Sequence, residues 1–204
     1  MNLIPTTRID RNFQEIMNLI EPKSSVLDLG CGPGTLLKKL IVEKNVLGRG
    51  IDINEENVIQ SIEKGISVSR GNIDQGLFEY NDASYDYVIL SRTLQVLHRP
   101  DFVIDEMLRV GKKAIVSFPN FANWKVRFKL LFSGKMPKTS LLPHEWYNTP
   151  NIHSLSISDF RLFCKKRNIT ILREILLVRS KKVGKFRRIF ANFFAEEGIY
   201  LITR

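Results

Sequence analysis

Apolar residues recur at Ile9, Phe13, Ile16, Met17 and Ile20 with polar residues between them, and Pro22 ends the pattern. That 3.6-residue period predicts an opening helix. Short apolar runs then alternate with helical patterns. Strands are predicted at residues 26–29, 46–52, 66–70, 85–90, 114–118, 169–178 and 198–203, the run Tyr85-Asp86-Tyr87-Val88-Ile89-Leu90 suiting the middle of a parallel sheet. Helices are predicted from Thr35 onward, over 55–64, over 102–110 and over 158–167. Strand alternating with helix predicts a doubly wound, Rossmann-like α/β fold with a mostly parallel seven-stranded sheet.

Residues 119–153 are not required by such packing. Phe121, Trp124, Phe128, Leu131 and Phe132 recur at helical spacing, and the segment continues through Gly134-Lys135-Met136-Pro137, Leu142-Pro143, Trp146-Tyr147 and Thr149-Pro150. An aromatic stripe at this spacing packs in a core or on a membrane surface. Followed by a long proline-bearing loop, it also reads as a lid or a contact surface inserted after the fifth strand.

The chain has 204 residues, enough for one well-buried core, so a single domain over 1–204 is expected. Its 44% hydrophobic and 25% charged residues are those of a globular protein. Two cysteines, Cys31 and Cys164, point to a reducing compartment rather than a disulfide framework. Arg8 and Asp10 precede any apolar run, which argues against a signal peptide, and no run reaches the roughly 18 residues that span a bilayer. A cytoplasmic location follows as the expectation. The formal net charge of +10 gathers at Lys125, Arg127, Lys129, Lys135 and Lys138, and again at Arg179, Lys181, Lys182, Lys185, Arg187 and Arg188. Such clusters can meet nucleic acid or an anionic surface. The second carries no interleaved aromatic residue except Phe186 and reads as solvated surface.

Candidate chemistry centres on Val26-Leu27-Asp28-Leu29-Gly30-Cys31-Gly32-Pro33-Gly34. A dinucleotide loop needs a third glycine where Thr35 stands, and no Gly-Lys-Ser/Thr follows for a P-loop. Asp28, two residues before Gly30, would repel a pyrophosphate and attract a cation. S-adenosylmethionine, with a sulfonium, an ammonium and no phosphate, suits that loop. Asp52 closes the second strand, where an acid can accept ribose hydroxyls.

In these residues the chain resembles the class I S-adenosylmethionine-dependent methyltransferases. That resemblance implies a cofactor site of Asp28, Gly30, Cys31, Gly32, Gly34, Asp52, Ile53, Asn72, Ile73 and Ser91. Asn72 stands where the family usually has Asp against the adenine amino group, and its side-chain carbonyl can still accept that bond. Ile-Asp-Gln-Gly-Leu at 73–77, Ser-Arg-Thr-Leu-Gln at 91–95, Phe-Pro-Asn at 118–120, Gly-Lys-Met-Pro at 134–137, Trp-Tyr at 146–147 and Thr-Pro-Asn-Ile-His at 149–153 resemble the MetW family of methionine biosynthesis. The resemblance implies a role beside a homoserine O-acyltransferase, with Gln95, Asn120, Trp124, Arg127, Trp146, Tyr147 and His153 as substrate or partner contacts.

Methyl transfer from a sulfonium is an in-line displacement that positioning alone can promote, and a base is needed only when the acceptor must lose a proton. His98, His153, Tyr147 and Glu145 are the candidates, and none is singled out by spacing. Three scattered histidines give no metal-ligand pattern. Ser91-Arg92-Thr93-Leu94 replaces the Asp/Asn-Pro-Pro-aromatic motif of amino-methylating nucleic-acid enzymes, and neither cysteine lies where a cytosine-C5 enzyme needs one. Two readings remain: an S-adenosylmethionine-binding partner of the acyltransferase, and a methyltransferase for a small metabolite.

Overall fold

The computed structural model describes residues 8–139, 142–178, 181–182 and 190–204. Its elements run α1 (Arg8–Leu19), β1 (Ser25–Leu29), α2 (Thr35–Lys44), β2 (Leu47–Asp52), α3 (Glu55–Glu63), β3 (Ser67–Arg70), β4 (Tyr85–Ser91), α4 (Pro100–Val110) and β5 (Gly111–Pro119). Then follow α5 (Trp124–Ser133), α6 (Ile157–Lys166), β6 (Thr170–Val178), β7 (Lys181–Lys182), a short helix at Ala191–Phe194, and β8 (Glu197–Thr203).

One sheet joins the strands in the order β3-β2-β1-β4-β5-β8-β6-β7. The first five neighbours pair in parallel, and β8 lies antiparallel between β5 and β6. The seven expected strands are all present, and the two-residue β7 adds an eighth at the edge of β6. Strand β5 is longer than its apolar run, because Gly111 and Lys113 keep the ladder with Tyr85 and Tyr87 through backbone bonds that need no buried side chain. Helix α4 starts at Pro100 rather than 102, since proline's fixed φ suits a first helical position.

Alternate residues of the central strands feed two cores. Leu27, Leu29, Val88, Leu90 and Val116 pack under Val103, Met107 and Phe160 of α4 and α6. Val26, Ile89 and Ile115 pack under Ile16 and Met17 of α1 and Leu37 and Leu40 of α2. Burial on both faces is why β4 reads as a continuous apolar run. Helix α5 joins neither core: Val126 is its one buried residue, and Phe132 is 79% exposed. The core reading of the aromatic stripe is thereby corrected. Arg179, Lys185, Arg187 and Arg188 of the second basic cluster lie outside the described residues, as do the side chains of Lys181 and Lys182.

Candidate functional site

At the carboxyl ends of β1 and β2 two buried carboxylates, Asp28 and Asp52, lie beside a glycine loop. After Leu29 the backbone turns left-handed at Gly30 (φ +67°), Gly32 (φ +55°) and Gly34 (φ +71°). A Cβ on Gly30 would lie 2.8 Å from the Thr93 hydroxyl, so this glycine lets β4's following turn press against the loop. A Cβ on Gly32 would meet nothing within 4 Å, so the space above that residue is open to a ligand. The loop is fixed from below. Gly30 N and Cys31 N donate to the Ile51 carbonyl, and Ser61 Oγ donates to the Gly32 carbonyl at 3.2 Å.

Asp52 is already engaged within the chain. Its Oδ2 accepts Gly32 N at 2.7 Å, while Oδ1 accepts Asn54 N at 2.9 Å and Asn57 Nδ2 at 3.2 Å. A carboxylate has about four acceptor positions, so roughly one is left for a ligand hydroxyl. The acid therefore also sets the shape of the glycine loop, which spacing alone did not reveal.

Asp28 is 2% exposed, and its Oδ1 has no hydrogen-bond partner. Burial first, and then the charge of Asp52, pushes its carboxyl up to about 7. An unpartnered buried carboxylate oxygen is unfavourable until a donor or cation reaches it. Together with the open space over Gly32, this fits the cationic end of S-adenosylmethionine. The Cys31 thiol, pushed up to about 12 by burial and by Asp28 and Asp52, stays protonated and is a packing group.

Other predicted cofactor residues are placed around this centre. Asn72 caps the turn at Ile73–Gln75, its Oδ1 accepting Asp74 N at 3.0 Å, which leaves that carbonyl a second lone pair. Ile73 is buried in the core beneath the turn, and Ile53 is exposed beside Asp52. Ser91 donates to Asn12 Oδ1 at 3.2 Å and lies 3.3 Å from Ser117 Oγ. It belongs to a network that sequence reasoning missed. Asn12 Nδ2 donates to Glu197 Oε1, and Arg92, itself left-handed (φ +56°), reaches both oxygens of the buried Glu197 at 2.7 and 2.8 Å. This network ties α1 to the ends of β4, β5 and β8.

The predicted contact residues separate into fasteners and exposed groups. Asn120 is a fastener in this structure. It is buried, its Nδ2 donates to the Asn192 and Ala195 carbonyls at 3.0 and 2.8 Å, and its Oδ1 accepts Ala122 N. Gln95 is also buried; its main-chain carbonyl accepts Ile152 N and His153 N at 2.8 and 3.0 Å. Its side chain donates to the Arg92 carbonyl, while Oε1 has no partner. Trp124, Trp146, Tyr147 and Arg127 are exposed, with Trp146 edge-on to Tyr147 and Trp124 edge-on to Phe128.

Among the candidate bases, Glu145 is engaged by Lys138 at 2.8 Å, which holds its carboxyl below the ordinary range. His98 and His153 meet in a cleft of about 430 Å³ over Leu94, Ile104 and Phe160. The adjoining helix α6 is capped by a Ser156–Asp159 box. Among the described residues, no three His, Cys, Asp or Glu side chains are grouped to hold a metal.

A family model described as methionine biosynthesis protein MetW matches residues 10–202. The chain is 36% identical over 171 residues, 79% of its length, to a bifunctional methionine biosynthesis protein MetXA/MetW of Rhodopirellula baltica. It spans only 27% of that relative, and 43% of a probable methyltransferase ltbC of Aspergillus luteorubrus that is 31% identical over 52% of the chain. Among solved structures, one chain of the complex between the Haloferax volcanii Trm112 methyltransferase activator and a methyltransferase matches with TM-score 0.68 at 14% identity, covering 95% of this chain and 88% of that one. The class I methyltransferase fold is thus shared.

Proposed function

From this chain's membership of the MetW family of methionine biosynthesis proteins, we propose that it binds S-adenosylmethionine in the glycine-loop cleft and acts with a homoserine O-acyltransferase. The observation that carries the cofactor reading is Asp28, a buried carboxylate with an unpartnered oxygen below a loop whose Gly32 opens onto free space. In this reading Asp28 faces the cationic methionine end, Gly30, Cys31, Gly32 and Gly34 leave room for it, and Asp52 accepts a ribose hydroxyl. Ile53, Asn72 and Ile73 flank the adenine, and Ser91 closes the cleft from β4. The ligand would supply an activated methyl group. The protein's own contribution is charge, shape and exclusion of water.

The partner reading is supported by the Rhodopirellula baltica relative, in which a MetW part and a MetXA part share one polypeptide. A methyltransferase acting on a small metabolite is the second reading, favoured by the shared fold. With Glu145 engaged by Lys138, that reading depends on His98, His153 or an acceptor that needs no base. We place the protein in the cytoplasm as one domain; both cysteines are free and buried, and no described helix is long and apolar enough to cross a membrane.

Two measurements test the proposal. S-adenosylmethionine and its demethylated product should each raise the melting temperature, by the equivalent of about 2.7 kcal/mol at a hundredfold excess over Kd, whereas NAD should not. An acyltransferase from the same organism should co-purify with the chain. A shift with NAD, or none with S-adenosylmethionine, overturns the cofactor assignment. Consumption of S-adenosylmethionine with a metabolite extract, in the absence of the acyltransferase, would favour the second reading.

A further inference from the structure

Between α5 and the chain that returns from it lies an apolar groove of about 840 Å³, lined by Phe121, Val126, Leu130, Met136, Leu142 and Trp146 among others. Its mouth is open: Leu130 is 47%, Met136 66% and Trp146 73% exposed. Its walls are braced, since Lys129 Nζ donates to the Lys138 carbonyl at 2.8 Å and Lys138 pairs with Glu145 at 2.8 Å. A preformed concavity spends little ordering entropy on binding. Apolar side chains held open to water in one patch mark an interaction surface.

The charge around the groove restricts what can occupy it. Residues 119–153 carry five cations, Lys125, Arg127, Lys129, Lys135 and Lys138, against one acid, Glu145. Lys125 is paired with Glu196 and Lys138 with Glu145. Arg127 and Lys135 form no salt bridge among the described residues, and Lys129 lies in the field of Glu145 without a direct ion pair. A second copy of the chain would bring the same positive rim and be repelled. A lipid surface takes a protruding apolar face, whereas here the apolar side chains line a hollow.

We propose that this groove seats the acyltransferase through a face of that enzyme carrying an apolar anchor flanked by carboxylates. The proposal rests on the partner reading above and specifies where and by what chemistry the contact is made. The anchor fills the space between Leu130, Met136 and Trp146. The carboxylates meet Arg127, Lys129 and Lys135, giving charge-assisted contacts that steer association. Trp146 and Arg127 are of the types that dominate interface energetics.

The test uses the chain's two tryptophans: Trp146 lines this groove, and Trp124 packs edge-on to Phe128 outside its lining. Labelled with 5-fluorotryptophan, the full chain gives two fluorine resonances, followed while the acyltransferase from the same organism is added. The Trp146 line should shift and lose its sensitivity to solvent deuteration. Leu130→Asp should weaken binding by about thirtyfold, as for a hot-spot loss. Lys135→Glu, which leaves the Lys129 and Lys138 braces in place, should weaken it and reduce its salt dependence. All these positions are exposed, and an unchanged S-adenosylmethionine thermal shift reports an intact fold. A complex that forms with the Trp146 line and the variants unaffected overturns the groove and leaves the partner reading standing. Absence of any complex overturns both. Lines that move with the chain's own concentration, or with anionic vesicles and not with the enzyme, overturn the occupant.

Discussion

Replacing Asp28 by Asn should make the empty protein more stable and deaf to S-adenosylmethionine. Asp28 is raised from an ordinary 3.8 to about 7 by burial and by Asp52, so the folded state holds its proton more tightly than the unfolded state. For an acid shifted upward the sign is unfavourable to the fold. Below the unfolded value both states are protonated and nothing is lost; between about 4 and 7 stability falls as pH rises; above about 7 the full loss is present. A shift of about 3 units corresponds to on the order of 4 kcal/mol. The isosteric amide removes that loss but brings an NH2 group that must find acceptors in a buried site, returning about 1–3 kcal/mol. A net gain of about 1–3 kcal/mol at pH 8 is the expectation, a rise of several degrees for a chain of this size. Urea titrations at pH 5 and pH 8 measure it: the variant's advantage should be present at pH 8 and shrink at pH 5. The same carboxylate is what a cationic ligand needs, so wild-type affinity should climb through about pH 7 and level off, and the variant should show neither ligand shift nor that pH step. A variant less stable than wild type at pH 8, or one that keeps the ligand shift, refutes the electrostatic account of this cleft.

Gly30→Ala and Gly32→Ala should differ in kind. Both force a left-handed side chain at about 1–2 kcal/mol, but only the first collides with Thr93, so thermal melts should show the larger loss at Gly30 and ligand titration the more selective loss at Gly32. Glu197→Ala leaves the Arg92 guanidinium without its bidentate acceptor and the Asn12 Nδ2 donor without the Glu197 oxygen, at about 3–5 kcal/mol by urea unfolding. Cys31 and Cys164, with thiols pushed up to about 12 and about 11 by burial, should react with a disulfide reagent at pH 8 only after denaturation; fast reaction of the native protein would contradict their placement.

How much of this was legible in the sequence depends on the range of the interaction involved. The central strands β1, β4, β5 and β8 were readable because burial on both faces writes much of each as an apolar run, and Asp28 and Asp52 because each lies a fixed short step from a strand end. What escaped is long-range pairing. Arg92 and Glu197 are 105 residues apart, and nothing local marks either as half of a buried ion pair. Asn120 presented the pattern of a polar residue in a contact loop, yet its amide is used up by carbonyls more than seventy residues onward. The stripe of α5 was ambiguous for another reason. Helical spacing of aromatic residues records which of them share a face, and the same spacing serves a face turned to solvent as well as one turned to the core.

The turn after β4 is where the cleft and the groove's supporting chain meet. Thr93 presses on Gly30 from one side of that turn, and two residues later the Gln95 carbonyl accepts both Ile152 N and His153 N, the point where the chain returning from α5 rejoins the sheet. A ligand bound as proposed in the cleft and a partner bound as proposed in the groove would therefore act on one short piece of backbone, in which Arg92 is left-handed and bonded to Ser117 and Glu197. Adjacency alone carries no coupling. A ligand alters the partner's affinity only by the difference in its own affinity for two arrangements of this turn, and the effect is reciprocal. The unpartnered Oε1 of buried Gln95 leaves this turn one hydrogen bond short, so an arrangement that brought a donor to it while Nε2 kept the Arg92 carbonyl would be favoured. Coupling between the two sites thus reduces to one measurable quantity, the ratio of partner affinities with and without S-adenosylmethionine, and Gln95→Leu, which removes the orphan oxygen, should bring that ratio toward one.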